Sequence, residues 1–513
     1  MSGRPDIDPI TLSVLEGGLR AICDEMGAVL IRAAHSPNIK ERHDCSTALF
    51  EPRGELVMQA EHIPVHLGSM PDAVASVIEL ADDPAEGELW ILNDPFAGGT
   101  HLPDITLVSP LLVGSELLGW AATRAHHADV GGPTPGGMPA DSRRLEDEGV
   151  VISPRRVSDE DIRELVSQMR NPSQRLADLR AQRAANLLAS ERLAELVERQ
   201  GVEAVRDGMV AVLDHAERRS RAAIGALADG TYTAEDALEA ADGSSVPLRV
   251  EVAIDGEEMR VDFTGSAPQV KGNLNCPLSV AKAATLFAVR VLTDPDAPPC
   301  TGGHRPVSIV AERGSVLDAE PGAAVAAGNV ETSSRVADLV LAALADVADG
   351  PAQGQGTMNN LTLAGEGDGA SSGFTYYETL GGGQGACHGS PGPSAVHVAM
   401  SNTLNTPVEA LESELPVRIR TLGLRRGSGG EGRFPGGEGL IREIEALEPM
   451  QFTLITERRD TGPRGRGGGG DGAAGRNLLN GEPLSAKTEG RLEPGDVLRI
   501  ETPGGGAFGS PGD

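Results

Sequence analysis

Cysteine is sparse in this sequence: Cys23, Cys45, Cys276, Cys300 and Cys387 are scattered and none forms a CxxC pair. That spacing excludes a zinc ribbon, argues against a disulfide framework and fits a reducing, cytoplasmic setting. No apolar run approaches the roughly 18 residues a membrane helix needs, and the opening MSGRPDIDP lacks a basic-then-apolar signal. A soluble, cytoplasmic protein with no membrane partner is expected. Lysine occurs only four times among 44 basic residues, set against 75 acidic ones, for a net charge of −31. Nucleic acid and anionic membranes, which require basic patches, are thereby excluded as main partners. Aromatic residues are scarce at 3%, although the hydrophobic fraction of 39% is ordinary. No GxxxxGK[ST] phosphate loop occurs, and no GxGxxG or GxSxG stands between a strand pattern and a helix pattern. A serine hydrolase is disfavoured, and any nucleotide the chemistry needs is expected to bind elsewhere.

Glycine (66) and proline (35) are abundant, so turns and loops should be frequent, and 513 residues allow two or three lobes. Asp8-Pro9 can cap and start a helix, and Leu12, Leu15, Leu19, Ile22, Met26 and Leu30 continue it to Ala34. Asp44 to Phe50 reads as a strand that turns through Glu51–Glu55 into a return at Leu56–Gln59. The His62–His66 loop leads to a helix over Pro71–Ala81, and Trp90–Leu92 is a short buried strand. From Asp159 to about Leu227 the pattern is helical, with a break at Gly201. Beyond Gly230 the apolar period becomes two, as in Leu248, Val250, Val252 and Ile254. Helices are expected at Val280–Leu292 and Ser334–Val347, and a last strand at Val497–Glu501. The glycine runs at 381–386 and 465–470 should shape turns or backbone approaches to a ligand. The expected fold is α+β with mixed sheets in several lobes: 1–158 as an N-terminal site lobe, 159–228 as a helical arm, and 229–513 as a β-rich, glycine-rich lobe.

The chemistry concentrates between Asn93 and Asp129. Asn93-Asp94-Pro95 and Gly98-Gly99-Thr100 make a turn-rich segment that delivers His101 and Asp104. An apolar hairpin follows, and His126, His127 and Asp129 stand at its far end. A lone His-x-x-Asp is ordinarily a hydrogen-bonded loop feature. Here, however, an antiparallel return of Leu117–Ala125 beside Ile105–Leu112 brings His126 to the start of the first strand. His101, Asp104 and His126 would leave coordination positions open for water and substrate. Imidazole with carboxylate suits Mn, Zn or Fe(II), and ligand type alone does not choose. Adjacent residues of a strand face opposite ways, so only one of His126 and His127 is a ligand; His126 is preferred, with His127 the alternative. Asp129 is a candidate general base or orienting partner for an imidazole. Asp44 is a further ligand or base candidate, or simply the partner of a neighbouring arginine.

These residues lie in blocks that resemble the hydantoinase B/oxoprolinase family: NDPFAGGTHLPD, RAHHADVGG, GGMPADS followed by EDEGV, VDFTGSAPQVKGNLN, GNVETSS, YYETLGGGQGA, SNTLNTPVEALESELPV and PGGGAFG. They follow the family's order across nearly the whole chain; the segment TGPRGRGGGGDGAAG at 461–475 departs from it. The resemblance implies the B-type subunit of a hetero-oligomeric, ATP-dependent enzyme that opens cyclic amides such as hydantoins, 5-oxoproline or lactams. ATP would bind a hydantoinase A-like partner, which phosphorylates the substrate, and the B-type chain would complete hydrolysis at a divalent metal. The alternative it implies is a subunit of a ketone carboxylase of the acetone or acetophenone type. The family's ligands, a His-x-x-Asp pair and a later His, carry over onto His101, Asp104 and His126, with His127 one residue away.

Overall fold

A computed structural model describes residues 7–61, 63–66, 68–365 and 373–512; the opening MSGRPD and His62, both read above, lie outside them. The first helix, Pro9–Ala33, begins where Asp8 caps it, its carboxylate accepting from the backbone N–H groups of Ile10 and Thr11. Leu15, Leu19, Ile22, Met26 and Leu30 form its buried face, and each such burial contributes roughly 1.5–3 kcal/mol. They share a core with Leu193, Leu196, Met209 and Leu213 of the helical arm.

That arm is three helices, Asp159–Val166, Pro172–Gln200 and Val202–Ile224. The break at Gly201 falls where glycine suggested. An earlier one, absent from the helical pattern, comes at Asn171, whose φ is +52°. Pro172 follows it, and a residue before proline is disfavoured in the α region. The long middle helix lies on the first sheet and is bolted to it: Gln182 Nε2 donates to the carbonyls of Ile105 and Thr123 at 3.0 and 3.2 Å.

The first sheet is antiparallel, in the order Leu56–Glu61, Cys45–Phe50, Glu116–His126, Asp104–Val113, Trp90–Leu92, Arg155–Arg156. Its two long central strands are the expected hairpin, and their register pairs Asp104 directly with His126. Both strands are buried along most of their length, which pins that register, since a one-residue slip would turn every side chain to the other face.

The second half carries three more sheets. Gly230–Glu239, Ser245–Asp255 and Glu258–Asp262 are antiparallel neighbours, and Val307–Val310 joins them in parallel. Helices Leu278–Thr293 and Ser333–Leu344 pack with this sheet in one apolar core. A four-stranded sheet orders Phe374–Glu378, Asn360–Gly365, Met450–Ile455 and Lys487–Leu492. A five-stranded one contains the Val497–Glu501 strand. The whole is α+β with mixed and antiparallel sheets, as expected.

The glycine run at 465–470 holds a turn, as expected, with Gly467 and Gly468 at φ +60° and +89°. Glycine-rich segments also lie directly against one another: Gly437 N donates to Gln384 O, Gly505 N to Gly437 O, and Ala507 N to Gly470 O, at 2.8–2.9 Å. A Cβ on Gly383 would lie 2.1 Å from both Gly437 O and Gly505 N. Only chains without side chains can lie this close, so here glycine is a packing material.

Candidate metal centre

Three backbone devices set the site. Asn93 ties two loops together, its Nδ2 donating to Leu102 O and Val150 O and its Oδ1 accepting from Ile152 N. Gly98 turns the chain with φ +92°, and a Cβ there would lie 2.2 Å from Ala73 N. The hairpin then places Asp104 opposite His126, and the His126 N–H donates to Asp44 O at 3.0 Å.

The result is a triangle of donor atoms. Asp104 Oδ1 lies 3.1 Å from His101 Nε2 and 3.2 Å from His126 Nδ1, and the two nitrogens are 3.2 Å apart. All three residues are buried. Ligand distances of about 2.0–2.2 Å put neighbouring ligands on one ion roughly 3 Å apart, so these residues fit a divalent metal. The other oxygen, Oδ2, is held from behind: Thr100 Oγ1 donates to it at 2.6 Å and Asn329 Nδ2 at 3.2 Å. His66 Nε2 lies 3.5 Å from it, with Nδ1 turned to Ser46 Oγ at 2.9 Å. Such partners fix the orientation of a ligating carboxylate.

His101 is steadied through Ala326, whose carbonyl lies 3.4 Å from Nδ1 and whose N–H donates to Glu148. Burial pushes the Glu148 carboxyl up to about 7. His126 stacks on Tyr377, whose hydroxyl donates to Asn360 Oδ1 at 2.7 Å; Asn360 in turn donates to Glu331. Burial alone would raise the Asp104 carboxyl, but the imidazoles of His101, His126 and His66 outweigh it and hold it well below the carboxylate range. Burial likewise opposes protonation of His101, yet Asp104 keeps its pKa above the ordinary value. Asp44 lines the same small cavity, its carboxyl pushed up by burial and by the neighbouring charge of Asp104.

The structure therefore brings His101, Asp104, His126 and Asp44 together. It does not bring His127, which is buried on the other face with Nε2 2.9 Å from Gln182 Oε1; burial drives its pKa down to about 4. As adjacent strand residues the two histidines must part, and Gln182 claims the second. Nor does it bring Asp129 to the cavity. That carboxylate accepts from Gly131 N and Gly136 N and faces Arg170, organising the loop that follows the hairpin. His66, Asn329 and Tyr377 escaped the reading of the sequence. The loop at 62–66, where His66 sits in a 3-10 turn, was one signal; Asn329 and Tyr377 are more than 200 residues away, in the GNVETSS and YYETLGGGQGA blocks, which carry the family resemblance but assign neither residue a role.

A hydantoinase B/oxoprolinase family profile matches residues 8–511. The chain is 37% identical over 523 residues to 5-oxoprolinase of Dictyostelium discoideum, an alignment covering 98% of this chain but 40% of that protein. Its fold matches the ATP-dependent caprolactamase from Pseudomonas jessenii with a TM-score of 0.92 and 27% identity, over 99% of this chain and 92% of the other. Acetone carboxylase shares the fold, with a TM-score of 0.88 and 18% identity, over 98% and 76% of the two chains.

Proposed function

Because this chain belongs to the hydantoinase B/oxoprolinase family, we propose that it is the metal-bearing, B-type part of an ATP-dependent cyclic amidohydrolase. An A-type partner binds ATP and phosphorylates the amide oxygen of a hydantoin, 5-oxoproline or lactam. This chain then receives the activated ring and hydrolyses it in the cytoplasm, within a hetero-oligomer. The observation that carries this reading is the triangle of His101, Asp104 and His126 donor atoms. A bound Mn, Zn or Fe ion supplies Lewis acidity there, polarising a carbonyl and acidifying water.

The chain's own residues do the rest. Asp104 presents Oδ1 to the centre while Thr100 and Asn329 hold Oδ2 away from it. Asp44 is the general base, since burial makes its carboxylate a better proton acceptor than an exposed one. Asp129 acts only at a distance, by shaping the loop after the hairpin. Burial of the whole cluster excludes bulk water, which strengthens each electrostatic interaction. Hydrolysis is favoured over carboxylation because the 5-oxoprolinase likeness extends to 37% of residues, whereas acetone carboxylase shares the fold at 18%.

The test is reconstitution with the A-type partner, scoring ATP consumption against ring opening of hydantoins, 5-oxoproline and lactams, with ketone plus bicarbonate as a parallel arm. Coupled ring opening supports the reading; carboxylation, or turnover by this chain without ATP, sinks it. Metal content of the His101→Ala/Asp104→Ala double variant tests the site: metal retained at wild-type stoichiometry would sink that assignment.

A further inference from the structure

Arg42 is buried, with 1% of its surface exposed. A buried guanidinium is stable only when an anion answers it. Here Nη2 donates solely to neutral oxygens, the Thr379 carbonyl at 2.8 Å and the hydroxyls of Thr379 and Thr403 at 2.9 Å each. Among the described residues Nη1 makes no hydrogen bond, and the carboxylate oxygen paired with it, on Glu378, lies 4.0 Å away. Glu378 is already engaged. Arg442 donates to both its oxygens at 3.3 Å, and the Tyr376 hydroxyl donates to one of them at 2.9 Å. Two buried guanidiniums thus share one carboxylate. Asp44 faces the cavity with His126, and among the described residues no ion pair joins it to Arg42.

The hydroxyls that Arg42 holds stand on the wall of the cavity that contains the triad. Thr379, Ser401 and Thr403 all line it. Thr379 Oγ1 and Thr403 Oγ1 are 2.7 Å apart; His397 bridges onward, with Nε2 3.2 Å from Thr403 Oγ1 and Nδ1 2.7 Å from Ser401 Oγ. Burial and the nearby Arg42 push the His397 pKa down to about 3, so its ring is neutral and offers one acceptor and one donor to this row. One of the three hydroxyl protons closes the Thr379–Thr403 bond and a second goes to the unprotonated nitrogen of His397, so one is left to donate into the cavity. That donor, backed by a cation lacking a dedicated counter-ion, is chemistry for an oxyanion.

Building on the amidohydrolase reading, we propose that Arg42, acting through Thr379, Ser401 and Thr403, forms an oxyanion subsite facing the triad, and that the substrate presents a carboxylate or phosphoryl group to it. Arg42 is a positioning residue, and the hydroxyl of the row whose proton stays free makes the contact. The cavity measures about 20 Å³, room for a water rather than a substrate. Ser401 and Thr403 lie in neither helix nor strand, and the proposal requires that wall to draw back as the ligand enters.

Isothermal titration of the full chain with inorganic phosphate and with 5-oxoproline tests the subsite, with neutral caprolactam as control. Wild-type protein binds at least one of the two anions and does not bind caprolactam saturably. Arg42→Met loses a charge-assisted contact and weakens that binding about 10- to 100-fold. Thr403→Val, a gentler change, weakens it about threefold to tenfold if a neutral hydrogen bond is lost. Both variants keep wild-type metal content. Phosphate binding alone identifies the phosphoryl group as the source of the oxyanion, and 5-oxoproline binding alone the carboxylate. Absence of binding of either anion to wild-type protein overturns the subsite, as does wild-type affinity in Thr403→Val together with any Arg42→Met protein that melts normally. Failure of the metal reading looks different: anion binding persists while no metal is found.

Discussion

The ring of Tyr377 lies nearly parallel to the imidazole of His126, their centroids 4.5 Å apart and their planes inclined by 14°. The stack holds the imidazole at one angle, so that Nδ1 meets Asp104 Oδ1. Tyr377→Phe keeps the stack and strands Asn360 Oδ1, at a cost to stability of about 1–3 kcal/mol but with little change in metal affinity. Tyr377→Leu removes the stack and lowers metal affinity about 10-fold or more, as loss of an orienting partner does. Denaturation and metal titration of the two variants separate these outcomes.

The adjacent histidines should part cleanly. His126→Ala loses bound metal, while His127→Ala retains it and loses only the contact to Gln182. Elemental analysis of the two purified variants decides this, and metal lost only from His127→Ala would exchange their roles.

Metal loading should fall on acidification, beginning above the ordinary histidine value. A ligating imidazole must be unprotonated, and Asp104 holds the His101 pKa above 6.5. Asp104 itself stays ionised, since its carboxyl is held well below 3.8. Dissociation constants measured across pH 5.5 to 8 should therefore weaken as protons compete for His101. A profile flat across this window would contradict the prediction.

Glu331 predicts a stability effect with a definite sign. Burial first, and then the charge of Glu457, raise its carboxyl from 4.5 to about 7. Between those values the folded chain binds more protons than the unfolded one. The contribution is therefore complete below pH 4.5 and is lost as pH rises through 7. Oε1 accepts from Met358 N and Asn360 Nδ2, while Oε2 has no hydrogen-bond partner among the described residues. Glu331→Gln keeps the first two bonds without the charge. It should match wild type at pH 4.5 and exceed it above pH 7 by roughly 3 kcal/mol, as read by denaturant melts at both values.

How much of this could be read from the residues depended on sequence distance. Asp104 and His126 are strand partners in one hairpin, and His101 precedes the hairpin by a turn that Gly98 and Pro95 announce. Local rules sufficed for those three. His66, Asn329 and Tyr377 reach the same cavity from three separate segments, with Arg42 behind its wall, and no local pattern records such a meeting. Propensity placed most helices within a few residues of their ends and missed the break at Asn171, although Pro172 marks it. The glycine runs hold more than the turns read in them. Glycine at a turn and glycine in a backbone-to-backbone pack look alike in one dimension, and only the packing of 381–386 against 437 and 505 tells them apart.

The span of contacts also orders the assembly of the centre. His101 and His126 are 25 residues apart, whereas Arg42 and Thr403 are separated by 361. Closing the longer loop costs roughly 2 kcal/mol more in chain entropy. During synthesis the metal-facing half can therefore form from the nascent hairpin, while its opposite wall waits for the last quarter of the chain. A ribosome-stalled chain ending before Thr379 would carry its metal ligands without the row of hydroxyls.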